Sequence, residues 1–371
     1  MSGHGADDNG SSSGPHPLEP LLLDQVEPLE RGRAHGEHWR EAIHELAQIR
    51  VGLALRRGSF VDEAELLGVA RRHLPVLRAE LPAMADELQG IAEGADLSPE
   101  RVVVLNREHG AGSTAIYLNG DEGPVLGETW DLHADAEPYV RMLRIAAVGG
   151  EQETLCLTLV GCLGVAGLGG RRGGRGVAVA INELSSTDGR VGVLGPAVVR
   201  AMLEQDSADK ARALLLRTPL ASGRNYMIAD GHRYFGIETS GELKVQTQEG
   251  PRAAHLHTNH CFDPVLRQRE AVARSSTTFH RLNLATTIYA QQRPRDADAL
   301  WCLLHTHDGT PGSLCVEPSP AAEPTATTTC AVIVMRIGDG WMRVVRGSAH
   351  RAEPLELSVG RWGEPSETLP A

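Results

Sequence analysis

The spacing of apolar positions changes character near residue 112. Between about Gly36 and Leu105 apolar side chains recur at three- and four-residue steps, as in Trp39, Ile43, Leu46, Ile49 and Leu53, which predicts an amphipathic helix. A second helix is predicted over Asp62–His73 and a third over Pro82–Glu93, with proline in its first turn and Gly94 as its stop. Beyond residue 112 the runs are short and glycine-bounded: Val125–Leu126, Met142–Ile145, Thr154–Val160 and Val177–Ile181 read as strands. Helical spacing returns over Gly195–Leu216, where Val198, Met202 and Leu203 share one face and Ala211, Leu214 and Leu215 another. Tyr226–Ala229, Tyr234–Glu238 and Leu243–Gln246 read as a meander, Phe279–Ala290 and Ala297–His305 as helices, and Val332–Arg336 with Met342–Val345 as a hairpin around Gly338-Asp339-Gly340. Strands and helices come in blocks rather than in strict alternation, which favours antiparallel sheets covered by helices over a doubly wound parallel sheet. No repeat of fixed period is present.

Composition narrows the functional classes. The length, 371 residues, suits one large domain or two ordinary ones, and 41% hydrophobic with 23% charged residues is a soluble globular profile. A net charge of −12 argues against a nucleic-acid partner, because phosphate binding needs a basic face. No run is long and apolar enough to span a membrane, and the Gly/Ser/Asp-rich start, residues 1–17, has no apolar signal core and reads as a disordered tail, as do residues 361–371. The six cysteines are widely spaced without a CxxC pair, which fits reduced thiols in a cytoplasm better than zinc or a disulfide framework.

The stretch from His109 to His133 carries the chemistry. It reads as strand, turn, strand, with the glycine-flanked hydroxyl of Ser113 opening the first and Asp131 closing the second, so an antiparallel hairpin brings those ends together. Serine is a weak nucleophile until a base takes its proton. Cleavage between Gly112 and Ser113 would supply one, because a free α-amine has a pKa near about 7.8. Glycine before the nucleophile permits the strained backbone of an N-to-O acyl shift, and Asp131 would orient the amine and hydroxyl. The same residues also fit a plain hairpin carrying a surface serine. Asn182, closing Gly176-Val-Ala-Val-Ala-Ile-Asn182, suits an oxyanion donor or an ordinary turn residue. In His257-Thr-Asn-His260, Asn259 suits an oxyanion donor; the two histidines lack further metal ligands, and on a strand they would point to opposite faces. The glycine- and arginine-rich run Gly167–Gly176 lacks the lysine and hydroxyl of a P-loop and reads as a flexible loop lining a cleft, where its arginines could meet an anionic substrate group. Pro318–Thr329 reads as a loop or lid.

Several segments, taken in order, carry a resemblance. They are Leu81–Ala95, Val104-Leu-Asn106, the Gly-Ser-Thr hairpin ending in Gly127-Glu-Thr-Trp-Asp131, Gly176–Asn182, Asn225–Asp230, His257–His260 and Ser275–Arg281. Over roughly Gly36–Val345 the chain resembles the acyl-coenzyme A:isopenicillin N acyltransferase family of autoproteolytic N-terminal-nucleophile hydrolases. The resemblance implies an α+β fold, a four-layer α/β/β/α sandwich with a helical N-terminal segment. Residues 18–112 would form a helical α-fragment and 113–360 the αββα catalytic fragment of one integrated domain. It also implies an amide-bond hydrolase or acyltransferase of secondary metabolism, made as a zymogen, with no metal or other cofactor.

By the same resemblance Asp131 orients the nucleophile, Asn259 is the oxyanion amide, Asn182 lies near the same pocket and Arg281 lies near a family arginine. Trp130, His133 and His257 are expected to contact the substrate, a small-molecule amide or acyl thioester. The family's nucleophile is cysteine, and Ser113 stands at that position. Serine preserves shape but lowers nucleophilicity, which leaves a native serine nucleophile, a substitution that traps the precursor, or a member without catalysis. A shifted register would put Ala111 at the site. A non-catalytic binding protein on the same fold and a metal hydrolase at His257 and His260 are the rival readings; oligomeric state is not legible.

Overall fold

The computed structural model describes residues 16–107, 112–146, 152–171, 175–250, 253–309, 312–317 and 326–360. Ala111, most of both terminal tails and most of the segment read as a lid lie outside the described residues. The N-terminal part holds strand β1 (Leu21–Leu23) and helices α1 (Pro28–His38), α2 (Arg40–Arg56), α3 (Glu63–Glu80), α4 (Pro82–Ala95) and α5 (Pro99–Leu105). Strands β2 (Gly112–Gly120), β3 (Gly123–His133), β4 (Val140–Ala146), β5 (Glu153–Leu159), β6 (Ala166–Arg171) and β7 (Arg175–Glu183) follow. After α6 (Gly195–Leu203) and α7 (Ala208–Arg217) come β8 (Arg224–Ala229), β9 (Tyr234–Thr239), β10 (Lys244–Glu249) and β11 (Ala254–His257). The chain closes with α8 (Thr278–Gln292), α9 (Ala297–Leu304), β12 (Thr327–Arg336), β13 (Trp341–Arg346) and β14 (Leu355–Ser358).

The strands make two sheets, ordered β1-β4-β5-β6-β7-β8-β9-β10 and β11-β2-β3-β12-β13-β14. All pairings are antiparallel except β1 with β4. β2 and β3 face β7 across the two sheets; α6 and α7 cover the first sheet, and α8 and α9 the second. The fold is therefore α+β, a four-layer α/β/β/α sandwich beside a helical N-terminal part. The core shows the layering: Ala115, Tyr117 and Leu126 lie with the intersheet core, whereas Ile116, Leu118 and Val125 pack with Leu300 and Leu304 of α9. This is the two-residue alternation of a strand buried on both sides.

Several boundaries differ from the sequence reading for physical reasons. α3 has Asp62 as its cap, the carboxylate accepting from Glu65 N, and runs on through Pro75 to Glu80. Gly94 does not stop α4, which ends at Ala95 with Asp96 left-handed at φ 56°. Instead Gly90 and Gly94 of α4 lie against Gly32 and Gly36 of α1 so closely that a Cβ at any of the four would overlap a carbonyl oxygen of the facing helix. The Gly167–Gly176 run is not a cleft loop: its described residues form the β6–β7 pair, with Gly169 against the carbonyl of Leu203. The helix read over Gly195–Leu216 is two, α7 restarting behind the Ser207 cap.

Candidate active site

The β2–β3 register sets Gly112 opposite Asp131 and Ser113 opposite Trp130. Ser113 shares its strand parity with Ala115 and Tyr117, so its side chain enters the intersheet space, where it is 2% exposed. There β7 of the facing sheet presents Asn182. Its Nδ2 donates to Ser113 Oγ at 2.8 Å, and its Oδ1 accepts from Asn225 of β8 at 2.9 Å. Asn259 follows β11: its Nδ2 donates to Ser113 Oγ at 3.2 Å and to the Glu183 carbonyl at 3.1 Å. Its Oδ1 accepts the Ser113 backbone N–H at 2.9 Å, and its own N–H donates to Thr278 Oγ1 at 2.7 Å. Ser113 Oγ thus accepts from two carboxamides, and among the described residues no imidazole or carboxylate is hydrogen-bonded to it.

Arg281 of α8 lies on the other face of β2. It donates to the Ser113 carbonyl, to Thr114 Oγ1 at 3.0 Å and to Asn259 Oδ1 at 2.6 Å. Burial pulls its guanidinium below the usual value, and Asp131 opposes that. Asp131 is 1% exposed and accepts from Thr329 Oγ1 at 2.6 Å. Burial pushes its carboxyl above the usual range, against the pull of Arg281 and the Thr329 hydroxyl. Its Oδ2 would lie 3.1 Å from a Cβ on Gly112. The carboxylate therefore flanks the residue before Ser113, on the face opposite the Ser113 hydroxyl.

Of the other predicted residues, Trp130 stays beside the site as the cross-strand partner of Ser113, while the histidines make no hydrogen bond to the Ser113 hydroxyl among the described residues. Trp130 is part of the intersheet core. His133 is buried and pushed down to about 3 by burial and then by Arg50, Arg57 and Arg56. His257 bonds Glu238 Oε1 at 2.8 Å and the Thr258 carbonyl at 2.7 Å. His260 bonds Thr278 Oγ1 at 2.9 Å, so the two histidines do not converge on a cation. The group of potential ligands found among the described residues is instead His307, Cys315 and Glu317, within 4.8 Å of one another, but Glu317 is already taken by Ser348 and by Arg351 at 2.8 Å. Sequence reasoning missed Asn225, Thr278 and Thr329 as partners of the site. Asn225 and Thr278 sit in segments that carried the resemblance, whereas nothing local marks Thr329.

No protein-family model matches the chain. The acyl-coenzyme A:6-aminopenicillanic-acid-acyltransferase 40 kDa form of Emericella nidulans is 26% identical over 249 residues, 64% of this chain and 68% of that protein. The chain resembles the acyl-coenzyme A:isopenicillin N acyltransferase family. Among solved structures, the Caenorhabditis elegans ortholog of N-acylethanolamine-hydrolyzing acid amidase aligns at 16% identity and a TM-score of 0.43, over 66% of this chain and 99% of that one. A mutant of conjugated bile acid hydrolase from Clostridium perfringens aligns at 10% identity and a TM-score of 0.42, over 66% and 92%. No helix among the described residues is long and apolar enough to cross a membrane.

Proposed function

We propose that this chain is an N-terminal-nucleophile amide hydrolase or acyltransferase in which Ser113 attacks, after cleavage of the Gly112–Ser113 bond. One observation carries the reading: a buried strand-opening hydroxyl with two amide donors and, among the described residues, no side-chain base bonded to it. A base must therefore come from elsewhere, and the serine's own nitrogen, freed by the cleavage, is suited to that task. In the cleavage step Oγ bonds to the Gly112 carbonyl carbon, and the C–N bond breaks as nitrogen takes the hydroxyl proton. Water then hydrolyses the ester, releasing the Gly112 carboxylate and a free amine on Ser113. Asp131, flanking residue 112, is suited to hold that amine.

In turnover the amine takes the Ser113 proton while Oγ attacks the acyl carbon. The Asn182 and Asn259 amides stabilise the negative charge that develops, a contribution of about 10²–10³ in rate for one such donor. Arg281 fixes the Ser113 carbonyl and Asn259 in register. The substrate class is a small-molecule amide or acyl thioester, in keeping with the name of the fungal relative. The six cysteines form no disulfide, in keeping with a reducing compartment such as the cytoplasm.

Intact mass of the purified chain tests the reading. Fragments 1–112 and 113–371, together with hydrolysis of an amide or thioester, support it. One uncut species without activity, in wild type and in Ser113→Cys alike, overturns it in favour of a binding protein on the same fold.

A further inference from the structure

The helical part and the sandwich meet at a cavity of about 460 Å³, within the roughly 300–1,000 Å³ range of small-molecule sites. Arg72 and His73 of α3 and Arg107 beyond α5 line one wall; Arg190, Ser222 and Arg224 line the other. The lining holds four arginines and, among the described residues, no carboxylate. Arg107 keeps one terminal nitrogen buried without a hydrogen-bond partner, and its carbon end lies 5.4 Å from the Phe60 ring. Burial lowers its guanidinium, with no acidic group opposing. Arg190 uses Nε on the Leu220 carbonyl at 3.3 Å. His73, bonded to the Gly192 carbonyl at 2.8 Å, is lowered first by burial and further by Arg107 and Arg72, which registers the positive field inside.

The orphaned nitrogen of Arg107 is costly to desolvate without an acceptor, and the exposed guanidiniums of Arg72 and Arg190 share the same cavity lining. Planar donors of this kind match carboxylate and phosphate oxygens in pairs. The chain as a whole carries −12, so this basic cavity lining is a local exception. The cavity's volume suits a small molecule rather than a polymer. Arg224 is the strand partner of Glu183, one residue on from Asn182, and its guanidinium lies against Gly195 of α6, so the cavity sits on the face of the sheet turned away from Ser113. We propose that this cavity binds a small-molecule anion carrying phosphate or carboxylate groups.

The test is isothermal titration of the full chain with inorganic pyrophosphate and, separately, citrate. Saturable binding of either probe is expected, weakening as salt rises and weakened about tenfold in Arg190→Gln and in Arg72→Gln. The surface control Arg336→Gln is expected to bind as wild type. Pyrophosphate alone would identify the phosphate source, citrate alone the carboxylate one. Ser113→Ala is expected to bind equally, so loss of the proposed chemistry and loss of this site are told apart. Two results overturn the proposal: neither probe producing heat or a melting shift at about 10 mM, or binding unchanged in the two cavity variants, whose melting temperatures report that they fold.

Discussion

The Asn182 side-chain amide donates to the Ser113 hydroxyl across 2.8 Å from the opposite sheet. The contact exists only when both sheets are packed, so this arrangement and the tertiary fold form together. Asn182→Ala, and separately Asn259→Ala, is expected to slow both chain cleavage and amide turnover by about 10²–10³. Time-resolved mass spectrometry of freshly folded chain reads the first, and a discontinuous amide assay the second. Unchanged rates in either variant would remove that amide from the mechanism.

Ser113→Cys tests the nucleophile from the other side. A thiol is a few per cent ionised near neutral pH and intrinsically more nucleophilic than a hydroxyl. Cleavage of the Cys variant is expected to run faster than that of the serine chain, and Ser113→Ala is expected to stay whole. A denaturing gel over a time course separates the three, and a cut Ala variant would sink the assignment of the scissile bond.

Acid is expected to destabilise the protein through buried histidines. His35 of α1 accepts the Gly161 N–H on Nε2 at 2.9 Å and therefore has to be neutral there. Burial pushes its imidazole down to about 4, with Glu87 opposing. Between about 6.5 and that value the unfolded chain binds a proton that the native chain refuses. Stability present above about pH 6.5 therefore falls as the pH drops toward 4, by on the order of 3 kcal/mol for this residue. His133, at about 3, and His260 and His305, at about 4, act in the same direction. Urea midpoints measured from pH 7 to 4 are expected to fall, and His35→Gln to flatten the slope; equal slopes would refute the role of His35.

The α1–α4 contact depends on four glycines. Gly36→Ala and Gly90→Ala each drive a Cβ into backbone of the facing helix. Each is expected to cost about 1–3 kcal/mol or more, because backbone on both sides has little room to shift. Gly68→Ala, where a Cβ meets open space in α3, is the matched control and is expected to be neutral or stabilising. Thermal melts compare the three.

Much of the scaffold was legible because periodicity reports burial directly. Ile43, Leu46 and Leu53 do line the buried face of α2, although Arg50 rather than Ile49 completes it. The hairpin from Ser113 to Asp131 follows its alternation and its turn. The errors came where glycine meant close approach rather than a break. Gly94 and Gly169 read locally as punctuation, yet each admits a neighbouring backbone that only the tertiary fold supplies. The segments holding Asn182, Asn259 and Arg281 were visible, but their meeting at one serine joins strands and a helix far apart in the chain. Strand parity, which puts Asp131 and the Ser113 hydroxyl on opposite faces, is set by a register that the two local sequences do not state.

β1 precedes the junction at residue 112, yet it completes the edge of the larger sheet by pairing with β4. Glu87 of α4, fully buried, is also paired with Arg31 at 2.8 Å and faces Arg200 of α6 at 3.8 Å. A nick after Gly112 therefore divides the polymer without dividing the particle. Under native conditions the two pieces are expected to sediment together as one body, with the front piece as a permanent subunit rather than a discarded leader.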